Sequence, residues 1–134
     1  MIVVDTNVVA FLAVEGEWSA KARRLVEKDT DWRIPSFWRY EMANVLSNYI
    51  KFKGMTLRDA KEVWERCVDL APLHEARVAP DATLELSARY RITTYDALYV
   101  ALALNLDTLC ITGDRRLRKA VPACVRLLDE IVKE

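Results

Sequence analysis

The run Ile2–Val4 carries β-branched apolar side chains at every position, with no polar residue to face water. A strand that alternates apolar and polar residues can line the outside of a sheet. One without alternation has to be covered on both faces, the environment of a parallel sheet between helices. The rest of the chain supplies such cover. Capping residues Asp5, Thr6 and Asn7 lead into a helix over 8–14, and Ala22, Leu25 and Val26 mark a helix over Ser19–Lys28. Trp32–Pro35 is the second expected strand, and Ser36 is placed to cap a long helix reaching about residue 52 and closed by Gly54. Its apolar face is Phe37, Trp38, Met42, Val45, Leu46 and Tyr49.

The pattern then repeats. Thr56 opens a helix with Leu57, Ala60, Val63, Trp64, Cys67 and Val68 in register, and a strand is expected over 75–79. Pro80 and Asp81 start a helix carrying Leu84, Leu86 and Ala88, and Thr93 and Thr94 precede another over 95–105. A strand over 108–112, a short helix over 114–120 and a final apolar run over 125–128 complete the chain. Strands alternating with helices argue an α/β architecture with a mainly parallel central sheet. With no repeat, linker or low-complexity tract in 134 residues, a single domain over 1–134 is expected.

Composition narrows the functional classes. Hydrophobic residues make up 52% and charged residues 30%, a globular balance. The longest apolar stretch, 97–104, is too short for a bilayer, which needs roughly 20 residues, and MIVVDTN has no basic leader or cleavage site. Cys67, Cys110 and Cys124 are odd in number and well separated, which fits neither a disulfide framework nor a zinc site. A reduced, cytoplasmic protein without membrane attachment is the expectation. The 20 basic and 20 acidic residues cancel, so any nucleic-acid contact has to be local. His74, the one histidine, reads as a surface residue in a connection, and its isolation argues against Ser-His-Asp chemistry.

Four acids stand where elements meet: Asp5, Glu41, Asp96 and Asp114. In open α/β sheets functional groups gather at the carboxyl ends of strands, where Asp5 and Asp114 belong. Each aspartate has an alternative role as a helix cap, and Thr93 with Asp96 suits a variant capping box. Glu41 is different. It lies three residues after Trp38 and four before Val45, on the apolar side of its own helix. A carboxylate turned inward there needs a compensating partner, and Arg39 and Lys51 are on other faces. Gathered in one pocket, four such groups could not all stay ionised without a cation. Hard-oxygen ligands of this kind suit Mg²⁺ or Mn²⁺ and metal-assisted phosphoryl transfer. Thr112 and Asn7 are candidates to orient the carboxylate oxygens, with turn or capping roles as alternatives.

In this order and spacing the segments resemble the PIN-domain ribonucleases, especially the small toxins of VapBC toxin–antitoxin modules. The resemblance rests on the strand ending in Asp5-Thr6-Asn7, Glu41 with Ala43-Asn44-Val45-Leu46, Tyr95-Asp96-Ala97 running into Val100-Ala101-Leu102-Ala103, and Thr112-Gly113-Asp114 followed by Leu117. It implies a three-layer α/β/α PIN-like fold and a Mg²⁺- or Mn²⁺-dependent endoribonuclease acting on single-stranded RNA. Asp5, Glu41, Asp96 and Asp114 are then the acidic metal ligands, with Asn7 and Thr112 in support. It also implies a homodimer held in check by a VapB-like antitoxin. Some relatives carry a further acid two residues beyond the last aspartate, and here that position is Arg116. Arg115, Arg116 and Arg118 form a basic run suited to phosphates, with a solvated helix face as the alternative.

Other readings fit less well. A phospho-accepting receiver needs an acid midway along the chain, where IKFKGMT has none. A phosphatase with an aspartate nucleophile needs a second Asp where Asn7 stands. Within the resemblance, housekeeping RNA processing and a catalytically silent PIN-like binding module are the alternatives to a toxin.

Overall fold

The computed structural model describes residues 1–133. Five strands, β1 (Ile2–Val4), β2 (Trp32–Pro35), β3 (Leu73–Ala76), β4 (Cys110–Thr112) and β5 (Val125–Leu127), form one sheet in the order β3-β2-β1-β4-β5. All four pairings are parallel. Parallel neighbours require crossover connections, and helices provide them. They are α1 (Thr6–Ala13), α2 (Ser19–Lys28), α3 (Trp38–Lys53), α4 (Leu57–Cys67), α5 (Pro80–Tyr90), α6 (Thr94–Asn105), α7 (Arg115–Ala120) and α8 (Leu128–Ile131). The result is the expected α/β/α arrangement, with a sheet parallel throughout.

The core explains the composition of the strands. Val3, Val4, Ile34, Cys110, Ile111 and Val125 are fully buried, together with Trp32, Trp38, Met42, Tyr99 and Val100 from the covering elements and strand ends. Helix α6 packs on β1, β2 and β4, which is why Ala97 and the 99–103 stretch are buried. α1 lies against α2, α3 and α4.

Several local expectations shift. Ser36 does not cap α3: the helix begins at Trp38, Phe37 occupies the cap position without a side-chain cap, and the Ser36 amide donates to Ala76 instead. β3 starts at Leu73 rather than residue 75, because its pairing with β2 runs from Trp32–Leu73 to Pro35–Ala76, and a four-residue partner fixes its bounds. His74 therefore lies in an edge strand, exposed, rather than in a connection. β4 is shorter than expected, beginning at Cys110, although Leu109 still accepts from the Val3 amide. Leu84 and Leu57 are exposed although their spacing suggested core, since α5 buries only Thr83 and α4 only Ala60, Val63 and Cys67. The caps at Thr56 and Thr93 and the left-handed Gly54 terminus form as expected.

Candidate active site

The chain passes from β1 to β2 on one side and from β4 to β5 on the other, so strand order reverses between β1 and β4, and α/β folds place ligands at such a switch point. Asp5 follows β1, and its amide donates to the Ile111 carbonyl at 2.9 Å, extending the pairing by one residue. That register sets Asp5 beside Thr112. The Thr112 hydroxyl, fully buried, donates to Asp5 Oδ2 at 2.8 Å and accepts the Asp114 amide at 3.0 Å. Asn7 ties the two strand ends together. Its Oδ1 accepts the Gly113 amide at 3.0 Å, while Nδ2 reaches Thr112 Oγ1 at 3.3 Å and Asp5 Oδ2 at 3.4 Å.

Asp5 is 7% exposed and makes no side-chain cap to α1 although it sits at the cap position. The capping alternative fails for it. Asp114 is the opposite case: its Oδ1 accepts the Arg116 amide at 2.8 Å and the Leu117 amide at 3.3 Å, capping α7. Its Oδ2 takes no hydrogen bond among the described residues. For Asp96 the box is half formed, since the Thr93 hydroxyl accepts the Asp96 amide at 3.0 Å.

Glu41 finds partners that the sequence did not announce. Tyr99 donates its phenol to Glu41 Oε1 and is hydrogen-bonded to the Thr6 hydroxyl, which also reaches Oε1 at 3.4 Å. Two hydroxyls, rather than a guanidinium or ammonium, receive the inward carboxylate. Thr6 follows Asp5 directly, and Tyr99 lies three residues after Asp96 on the same helical face. Those offsets from acids already in view were the only available signal.

Asp5, Glu41, Asp96 and Asp114 line one cleft of about 440 Å³ together with Thr6, Asn7, Phe37, Tyr40, Asn44, Val45 and Tyr95. None of these lining residues is Lys or Arg. The carboxyls respond accordingly. Burial, and then the charges of Glu41 and Asp96, push Asp5 up from 3.8 to about 7 against the opposing Thr112 hydrogen bond. Burial raises Glu41 against the Tyr99 hydrogen bond, and Asp96 adds to the rise. Burial and then the charge of Asp114 raise Asp96. Deeper in the core the Cys110 thiol is pushed well up by burial and then by Asp5.

Among the described residues, no group of three or more His, Cys, Asp or Glu side chains is positioned to hold a metal ion as it stands. The donor chemistry nonetheless fits a hard divalent cation, which often uses one or two carboxylates and keeps several waters. The raised carboxyls mark a place where negative charge lacks a counterion.

The basic run divides. Arg118 is held by Glu130 at 2.8 Å. Arg115 lines a separate pocket with Phe11, Trp18 and Asp129, and Arg116 is exposed beside the cap of α7.

With the geometry in view, the family sequence pattern described as PIN domain matches residues 2–121. The chain belongs to the PIN-domain family. Within that family it is similar to Ribonuclease VapC3 of Pyrobaculum aerophilum, 33% identical over 129 residues that span 92% of this chain and 97% of the relative. A 42-residue stretch, 30% of this chain and 32% of the relative, is 50% identical to Ribonuclease VapC1 of Mycobacterium tuberculosis. The crystal structure of PAE2754 from Pyrobaculum aerophilum matches this PIN domain with a TM-score of 0.76, covering 98% of this chain and 86% of that one at 18% identity. That likeness concerns the fold. This PIN domain is VapC-like over nearly its whole length. No helix among its described residues is long and apolar enough to cross a membrane.

Proposed function

We propose that this chain, as a single PIN-like domain over 1–134, is a Mg²⁺- or Mn²⁺-dependent endoribonuclease that cuts single-stranded RNA. In this reading it is the toxin of a VapBC pair, a cytoplasmic homodimer inhibited by a VapB-like antitoxin. One observation carries the catalytic part: four carboxyls converge in a cleft without a lining cation, and three of them are raised by burial and by one another. The name of the 33% identical relative supports the choice of RNA.

Asp5, Glu41, Asp96 and Asp114 would hold the ion. When bound, it lowers the pKa of a coordinated water and offsets charge on the phosphodiester during in-line displacement. The chain's own residues prepare that chemistry. Thr112 and Asn7 fix the Asp5 carboxyl at the end of β1, so it does not turn back to cap α1. Tyr99 and Thr6 hold Glu41 Oε1 through their hydroxyls, which orients that carboxylate without supplying a neutralising charge. Asp114 commits one oxygen to α7 and has the other to offer. Asp5, whose carboxyl is raised to about 7 by burial and its acidic neighbours, would give up its proton to serve as a ligand. Arg116, and Arg115 beyond it, are the members of the basic run available to phosphates, Arg118 being tied to Glu130.

The test is direct. Antitoxin-free protein should cut single-stranded RNA with Mg²⁺ or Mn²⁺ and stop with EDTA, and Asp96→Asn should lower the rate by at least a hundredfold while the protein stays folded. Inactivity on varied single-stranded RNAs, in a protein that calorimetry shows to bind the metal, would refute it.

A further inference from the structure

Three aromatic side chains at the rim of the cleft are not used by the fold. Tyr40 is 73% exposed, Tyr95 56% and Phe37 36%. They pack on one another rather than into the core: Phe37 and Tyr95 are stacked at 5.3 Å with planes 13° apart, and Phe37 and Tyr40 lie at 5.5 Å. Tyr95 immediately precedes Asp96, Tyr40 immediately precedes Glu41 in the first turn of α3, and Phe37 is the cap position of that helix. The shelf is therefore rigidly tied to the carboxylates on both sides. Asn44, one turn further along α3, lines the same cleft, and its side chain makes no hydrogen bond among the described residues.

We propose that Phe37, Tyr40 and Tyr95 form a base-stacking subsite for one unpaired nucleotide of the RNA strand, with Asn44 placed to meet the edge of that base. The inference rests on the reading of the cleft as a phosphodiester site and adds what holds the strand there. A nucleotide joins a flat π-face to an anionic phosphate, and this cleft joins a flat aromatic surface to a cation-binding pocket. An apolar protein segment would match the shelf and leave the four carboxyls unanswered. A cleft of about 440 Å³ has room for one such unit. Stacking is indifferent to base identity, because every base has a π-face. It also excludes duplex, whose bases already have both faces covered.

The experiment follows binding rather than cutting. A short single-stranded RNA containing 2-aminopurine is titrated with wild-type protein in Ca²⁺, and its integrity is checked on a gel. The expected results are fluorescence quenching on binding and roughly tenfold weaker binding for Tyr40→Ala and for Tyr95→Ala. The corresponding Phe variants should stay within about twofold of wild type, and an abasic analogue should bind as weakly as the Ala variants. Both tyrosines are exposed, so the substitutions leave the core intact. Equal binding by wild type, Ala variants and abasic strand would overturn the proposal. So would Ala variants that lose self-association but keep RNA affinity, which would make the shelf a protein interface. The two readings fail separately: quenching without any cleavage in Mg²⁺ removes the nuclease and keeps the subsite, whereas cleavage without quenching does the reverse.

Discussion

Replacing Asp5 by Asn should make the metal-free protein more stable, not less. Burial and neighbouring carboxylates raise Asp5 from 3.8 to about 7. The folded state thus keeps a proton that the unfolded chain gives up across that interval. The stabilising contribution of this proton is complete below pH 3.8 and is lost as pH rises through 7. The displacement corresponds to about 4 kcal/mol at most, at about 1.4 kcal/mol per pH unit. Asn escapes that loss because it never ionises. It can still accept from Thr112, but its amide displaces the 3.4 Å contact from Asn7, at a cost of about 1 kcal/mol. The net gain at pH 8 is about 2 to 3 kcal/mol. For a domain of 134 residues that is a Tm rise of about 7 to 10 °C. At pH 4 the gain should vanish, leaving the variant equal to wild type or slightly below it. Thermal unfolding in EDTA across this pH range measures the difference. A variant that is less stable at pH 8, or a difference that does not change with pH, would refute the description of Asp5 as a buried, uncompensated acid.

Added Mg²⁺ or Mn²⁺ should raise the Tm of wild type more at pH 8 than at pH 5, because ligation competes with the Asp5 proton, while Asp5→Asn responds weakly; a pH-independent metal effect in scanning calorimetry would contradict this. Tyr99→Phe removes the phenol donated to Glu41 and leaves the buried Thr6 hydroxyl short of a partner. It should cost about 1 to 2 kcal/mol of stability and lower the cleavage rate constant more than it alters KM, as denaturant titration and steady-state kinetics would show. Gly113→Ala would set a methyl 2.8 Å from Phe11 Cζ and 3.0 Å from Phe11 Cε2. Its expected cost is about 1 to 3 kcal/mol, and an unchanged denaturation midpoint would show that the ring moves aside freely.

How much of this was legible beforehand differs by element. Short runs rich in β-branched or aromatic residues and bounded by capping or turn residues located β1, β2 and the whole of β4, the last with two residues too many at its start. The positions of Asp5, Asp96 and Asp114 followed from where those elements end. Glu41 stood out through its conflict with the apolar stripe of α3, but its partners did not. Which hydroxyl meets a carboxylate depends on how α6 lies across the sheet, and helical spacing carries no such information. The bounds of β3 were missed for a related reason: an exposed edge strand has little hydrophobic pattern, and its limits are set by the partner it copies. The pairing of Arg118 with Glu130 is likewise a tertiary event between α7 and α8.

The order β3-β2-β1-β4-β5 has a consequence for the birth of the molecule. Of the five strands β1 is translated first, and it acquires its neighbour β4 only after β2, β3 and the helices between them have been made. Until then Asp5 has neither the Thr112 hydroxyl nor the Asn7–Gly113 clasp to hold it, and no nascent fragment ending before β4 contains the finished pocket. In the reading proposed above, the capacity to cut RNA is thereby withheld from every nascent form of the domain that has not yet reached β4.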